Sequence, residues 1–252
     1  LHLAKVIGEA KDLGKAGVTF ADPELDLNTI RSWKESVVSK LSNGIAQLAK
    51  VRNVQVLQGT AAFASPTQLT VKSENDHHTI TFDNCIIATG SMAAGIPIIA
   101  TDHPLIINST VALKLEDIPK RLLVIGGGYI GLEMGSVYNA LGSQVTVVEF
   151  MPCLLPGADE DLVKPLAQKL KKSFENIYLS MKVTKIEPDD NEVTVHFEGT
   201  DGKEFSEIYD TVLISVGRKP NTANLGLENA DIKATDQGYI SVNEKRQTSV
   251  SN

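Results

Sequence analysis

Cysteine is scarce in this sequence, with Cys85 and Cys153 the only two among 252 residues. That excludes a disulfide-stapled secreted scaffold and suits a reducing compartment, so the expected location is cytoplasmic. Long apolar runs are missing as well. No stretch approaches the ~20 residues of a membrane-spanning helix, and no secretory leader is legible. Basic runs are absent too: 24 Lys and Arg against 31 Asp and Glu leave a net charge of −7. This argues against nucleic acid or an anionic membrane as a partner. An initiating methionine is also lacking. Leu1 opens a segment that already reads as a helix in progress, and Gln247–Asn252 stops without a terminal element. The expectation is an internal stretch of a longer chain. What remains is 42% hydrophobic and 22% charged, an ordinary globular composition with room for one or two cores.

The most informative stretch is Val124-Ile125-Gly126-Gly127-Gly128-Tyr129-Ile130-Gly131. Gly126, Gly128 and Gly131 fit G-x-G-x-x-G: one glycine for a tight turn, one for close approach of a diphosphate, one for helix–strand packing. The diphosphate would meet the free N–H groups and positive end of the helix that opens there. Glycine turns are common, so context decides. Arg121–Ile125 reads as a strand buried on both faces. Ile130, Met134, Val137, Tyr138 and Leu141 recur at helical spacing, and Gly142 supplies a stop. Gln144–Val148 is a second buried strand, closing a βαβ unit that ends at Glu149. That carboxylate lies 149 − 126 = 23 residues past the first glycine. It is placed to accept the adenosine ribose hydroxyls and to repel a 2′-phosphate, favouring NAD over NADP. The bland alternative is a glycine turn in an ordinary α/β domain with a solvated Glu149.

Elsewhere, the first helix fades at Gly14 to Gly17, and Asp26 or Asn28 can cap a second. Ile30, Trp33, Val37, Leu41, Ile45 and Leu48 give that helix one apolar stripe, read as core. Short β-like runs follow near Val54–Leu57, Gln68–Val71 and Thr79–Phe82, with residues 73–78 as a polar hairpin connection. His77 and His78 within it are read as solvated, and no metal site is expected. Asn84–Ser91 reads as a buried strand with a small-residue exit. Beyond the Gly95-to-Pro104 loop, a short helix at Ser109–Leu113 precedes a domain boundary near Leu115. After Glu149 come a helix from about Asp159 to Lys172 containing Pro165, and strands near 177–180, 182–187, 192–197 and 205–209. The last two flank a Gly199-Thr200-Asp201-Gly202 turn. A final buried strand from Thr211 exits at Gly217. The expected fold is α/β: a Rossmann-like domain with an antiparallel β layer in a ββα three-layer arrangement.

Taken together these motifs resemble the flavin-dependent pyridine nucleotide–disulfide oxidoreductases, and within them the proteobacterial members that oxidise protein-bound dihydrolipoamide. The matching stretches are Ile30–Lys34, Phe82–Asn84 with Ala88–Ser91, Ser109-Thr110 with Ala112-Leu113, Pro119–Glu149 and Val216–Asn221. The resemblance implies residues 1–114 as part of an FAD domain, 115–242 as an NAD domain and 243–252 as the start of a return to the FAD domain. It implies that Ala61 meets the adenine end of FAD and that Thr89, Gly90 and Ser91 line its flavin side. Gly126, Gly127, Gly128, Tyr129, Ile130 and Gly131 would hold the NAD diphosphate. Glu149 would take the ribose, Val183 the adenine and Gly217 the nicotinamide half, with Glu133 near the nicotinamide and flavin. Implied partners are a second copy in the full-length parent and the lipoyl-bearing acyltransferase of 2-oxo acid dehydrogenase complexes.

The family's redox-active Cys-x-x-x-x-Cys pair is not in this sequence. Cys85 and Cys153 stand 153 − 85 = 68 positions apart and match neither family cysteine. Nor does the sequence hold the family's catalytic His-Glu pair. No catalytic residue is therefore assigned, and the chain alone is expected to be inactive on dihydrolipoamide. Met92 departs from the arginine many members carry. The partial FAD domain is expected to leave an open sheet edge, with weak or absent FAD binding. Another NADH-linked flavin disulfide reductase, an NADH oxidase, or a non-catalytic dinucleotide-binding module stays open as an alternative.

Overall fold

The computed structural model describes residues 1–96 and 102–252. Residues 97–101, part of the expected Gly95-to-Pro104 loop, lie outside the described residues. In chain order the elements are α1 (His2–Asp12), α2 (Leu27–Val51), β1 (Thr60–Ser65), β2 (Gln68–Lys72), β3 (His77–Thr81), β4 (Ser91–Ala93) and β5 (Ile106–Asn108). Then come α3 (Ser109–Ala112), β6 (Arg121–Ile125), α4 (Tyr129–Ala140), β7 (Gln144–Val148), α5 (Glu160–Ser173) and β8 (Asn176–Tyr178). The chain continues through β9 (Met181–Pro188), β10 (Val193–Gly199), β11 (Glu204–Tyr209), β12 (Thr211–Ile214) and β13 (Arg218–Pro220). Two units emerge: residues 1–35 with 93–217, and residues 36–92 with 218–252.

The first unit is built on a five-stranded parallel sheet of order β5-β12-β6-β7-β8. Its strands are short and apolar, as strands covered on both faces must be. On one face Leu122, Val124, Val145, Val147 and Leu213 pack with Leu132, Tyr138, Leu170 and Phe174 of the helical layer. On the other, Leu123, Ile125, Val148, Val212 and Ile214 pack with Val193, Val195, Phe197 and Tyr209 of the antiparallel β11-β10-β9 sheet. This is the expected three-layer arrangement. Helix boundaries follow local chemistry. Asn108 Oδ1 accepts from the N–H groups of Thr110 and Val111 to start α3, and Glu160 and Asp161 occupy the first turn of α5. Pro165 lies inside α5, which runs on through it. Lys34 Nζ donates to Leu113 O at 2.7 Å and Arg31 Nη1 to Leu115 O and Glu116 O, both at 3.1 Å, which gives the Ile30–Lys34 motif its physical task.

At the base of this unit a polar knot joins two layers. Glu207 accepts from Tyr178 Oη at 2.7 Å and Tyr209 Oη at 2.6 Å, and the Arg121 guanidinium lies 5.0 Å from the Tyr209 ring centre. Burial, reinforced by the Glu207 carboxylate, pushes the Tyr178 phenol up to about 12 and raises that of Tyr209 as well.

In the second unit the β1-β2-β3 meander closes over a small core of Phe63, Leu227 and Ala230, with Phe82, Cys85 and Ile87 against it. Burial raises the Cys85 thiol, the opposite of what a reactive thiolate requires. His77 and His78 lie in β3 rather than in the turn before it.

Three expectations fail here. Asn84–Ser91 is not a buried strand. Cys85 and Ile87 turn inward while Ile86 is 92% exposed, and residues 84–90 pair with no strand among the described residues. The residues alternate as a strand does, but a strand also needs a partner backbone to ladder with. Val54 and Val56 are likewise exposed and outside any strand. The apolar stripe of α2 is not core either: Trp33 is 48% exposed and Ile45 69%, and no α2 residue is buried. The stripe and its period are real. Burial needs something opposite it, and periodicity says nothing of that. The cap was legible: Asp26 Oδ1 accepts from the N–H groups of Asn28 and Thr29.

Candidate functional site

The site in the first unit is the loop between β6 and α4. β6 delivers the chain into Gly126 at φ +113°, a conformation that favours glycine, and Gly126 N–H donates to Val148 O at 2.9 Å. A Cβ on Gly126 would lie 2.5 Å from Ser215 O. Gly128 is the N-cap of α4, in extended backbone, and a Cβ there would meet nothing within 4 Å. On Gly131, by contrast, a Cβ would collide with Gly126 O and stand 2.6 Å from Ser215 Oγ. So the three fingerprint glycines differ in cause: two are required by packing, and Gly128 leaves open space before a helix terminus. A twelve-residue helix whose first N–H groups lack helical acceptors is suited to an anion. That open space and those donors fit a dinucleotide diphosphate.

Glu149, at the end of β7, is only 9% exposed. Its Oε2 accepts from Gly127 N–H at 2.6 Å and its Oε1 from Met151 N–H at 2.7 Å. The structure therefore brings Glu149 against the glycine turn. Tyr129 and Glu133 are exposed on α4, and Ile130 is half-buried. Val183 is half-buried in β9, opposite Phe197 of β10. Gly217 follows β12 at φ +134°, its carbonyl accepting from Ala94 N–H at 2.9 Å.

Ala61, Thr89, Gly90 and Ser91 belong to the second unit. Ala61 pairs with Val71 inside the meander. The Thr89–Ser91 turn is clamped by the residues after Gly217. Asn221 N–H donates to Gly90 O and Asn221 Nδ2 to Thr89 O, each at 3.0 Å, while Arg218 Nε donates to Ser91 Oγ at 2.6 Å and Nη2 to Ser91 O. Gly90 sits at φ +68° with open space where a Cβ would project, which fits close approach of a flat ring system.

Sequence reasoning missed three contributors. Ser215 lies under the glycine turn and its Oγ donates to Ile125 O at 3.0 Å; nothing in a lone serine at a strand end announces this. Leu154 and Leu155 close over Gly127 from the loop after Glu149. Arg218 and Asn221 were visible as a motif, but not as the clamp on residues 89–91.

A glycine turn between parallel strands, a helix terminus beyond it and an acid at the next strand end define a dinucleotide-binding α/β protein. The chain belongs to the pyridine nucleotide-disulphide oxidoreductase family, which it matches over residues 2–252. It is 41% identical over 250 residues to the dihydrolipoyl dehydrogenase of Vibrio parahaemolyticus, covering 99% of this chain and 52% of that protein. It is 42% identical over 251 residues to that of Haemophilus influenzae, with the same coverage of each. The HOCl-induced flavoprotein disulfide reductase RclA of Escherichia coli superposes with a TM-score of 0.80 at 29% identity, over 99% of this chain and 54% of that one. The chain spans about half the length of the curated relatives it matches.

Proposed function

We propose that this chain carries the nucleotide-binding half of a dihydrolipoamide:NAD+ oxidoreductase. The observation behind this reading is the open approach at Gly128 onto the α4 terminus, with Glu149 at the neighbouring strand end. Identity of 41–42% to two dihydrolipoyl dehydrogenases supplies the substrate class. In this reading residues 115–242 form the NAD domain, 1–114 are part of the FAD domain and 243–252 begin the return to it.

When bound, FAD and NAD supply the hydride exchange. The chain's own residues bind and orient. Gly126 to Gly131 hold the diphosphate on backbone N–H groups, and Glu149 accepts the ribose hydroxyls and repels a 2′-phosphate. Val183 flanks the adenine, Gly217 borders the nicotinamide half, and Glu133 steers its ring. Ala61 and Thr89–Gly90–Ser91 receive FAD. The redox disulfide and the acid–base pair are not among these residues, so the purified chain does not oxidise dihydrolipoamide. Measurable turnover would refute that. Full-length partners are a second copy and the lipoyl-bearing acyltransferase of 2-oxo acid dehydrogenase complexes, in the cytoplasm.

The test is calorimetric titration of the chain with NADH and NADPH. NADH is expected to bind about tenfold tighter, the scale of one unfavourable charge contact. Equal affinities, or tighter NADPH, would sink the reading of Glu149. A second reading, another flavin disulfide reductase, draws on the TM-score of 0.80 to RclA. The dithiol or disulfide substrate that the full-length protein turns over separates the two.

A further inference from the structure

A residue whose only task is to receive a ribose has no need to bond its own loop. Both carboxylate oxygens of Glu149 are engaged by backbone, at 2.6 Å from Gly127 N–H and 2.7 Å from Met151 N–H. The rest of Gly127 is enclosed by the same segment. Its carbonyl accepts from Leu155 N–H at 2.9 Å, and a Cβ on it would lie 2.8 Å from Leu154 Cδ2 and 3.1 Å from Glu149 Cβ. Residues 149–155 are thus laced over the middle of the glycine run. They are tied in turn to β9, with Met181 N–H donating to Glu149 O and Ser180 N–H to Met151 O, both at 3.1 Å.

We propose that Glu149 is a positioning residue for the diphosphate-binding turn. By anchoring Gly127 N–H it fixes the peptide planes around Gly128, and so the direction of the α4 donors that meet an anion. This deepens the dinucleotide reading and rests on it. Two effects of removing the carboxylate have opposite signs. Charge alone predicts that an anion binds better once a neighbouring negative group is gone. Loss of two charge-assisted bonds leaves the buried Gly127 N–H and the partly buried Met151 N–H unpaired and frees the turn, so binding weakens.

The experiment uses inorganic pyrophosphate, which has no ribose for Glu149 to hold. Its affinity for wild type, Glu149→Ala and Glu149→Gln is followed by NMR, together with amide exchange at Gly127 and Met151 without added ligand. Pyrophosphate affinity is expected to fall about fivefold in Glu149→Ala, the equivalent of one net hydrogen bond. Glu149→Gln, which is isosteric and keeps one acceptor oxygen, should lie between, and exchange at Gly127 should accelerate in both. Equal or tighter pyrophosphate binding by the variants, or unchanged exchange at Gly127, overturns the proposal. If wild type itself ignores pyrophosphate, the dinucleotide reading of the turn fails, and the exchange data still decide whether Glu149 positions it.

Discussion

Ser215 stands directly beneath Gly131: a Cβ on the glycine would lie 2.6 Å from the serine Oγ, which itself donates to Ile125 O at 3.0 Å. The third fingerprint glycine is therefore a packing requirement, set by the carbonyl of Gly126 in its own turn and by a serine 84 residues later in the chain (215 − 131 = 84). Gly131→Ala should cost about 1–3 kcal/mol in urea unfolding, the range of an overpacked core site. Gly128→Ala should change stability by less than about 1 kcal/mol while abolishing NADH binding, because its Cβ meets only the space a diphosphate would fill. Two equally destabilised variants would contradict this division of labour.

The apolar face of α2 makes a second case. Leu41 is 65% exposed in the structure, although its spacing reads as core. Leu41→Gln and Ile45→Gln should each shift stability by no more than about 0.5 kcal/mol, as surface substitutions do. Losses of about 2–5 kcal/mol, typical of truncating a core leucine or isoleucine, would place that face in the interior.

Alkaline titration tests the knot around Glu207. Tyr138 and Tyr178 are each pushed up to about 12, chiefly by burial, and Tyr209 is raised too. A phenol whose folded value lies above its unfolded one stabilises the fold below the unfolded value of about 10, and that contribution is lost as pH rises toward 12. Melting temperature should consequently fall between pH 10 and 12. Three of the five tyrosines should withhold their 295 nm phenolate absorbance until the chain unfolds. A near-complete five-tyrosine signal from folded protein at about pH 11, where an unperturbed phenol is almost fully ionised, would contradict the burial.

The clamp on the Thr89–Ser91 turn predicts local loosening without global unfolding. Asn221→Ala removes the bond to Thr89 O, and Arg218→Met both bonds to Ser91. Each should cost under about 1 kcal/mol because the groups are partly solvated. Amide exchange at residue 221, whose N–H is held by Gly90 O, should nevertheless rise. No change there would show that the turn is held by other means.

The first unit was largely legible because its pattern is local. The apolar run of β6, the glycines, the period of α4 and the acid after β7 occupy under thirty consecutive residues (149 − 121 + 1 = 29). The second unit was legible only where strands find partners within hairpin distance, as β2 and β3 do. Residues 84–90 have strand composition but ladder with no strand among the described residues, and the α2 stripe has helical period while most of its residues stay exposed. Composition and period report what a segment can bury, whereas burial depends on a second surface the segment does not encode. The roles of Ser215 and Leu154, and the contacts of Asn221, were illegible for the related reason that their partners lie far away in sequence or on backbone.

The strand order β5-β12-β6-β7-β8 has a consequence for how the first unit comes into being. The βαβ unit of β6, α4 and β7 is short-range and can assemble early. Its neighbour on the β6 side is β12, whose residues 211–214 are the last of the sheet to be synthesised. Until they arrive, β6 offers an unpaired apolar edge to any other strand in reach, with some ninety residues of chain between it and its proper mate. Completion of this sheet therefore waits on a long-range parallel pairing, the kind of contact that forms slowly and leaves strand edges open to aggregation in the meantime.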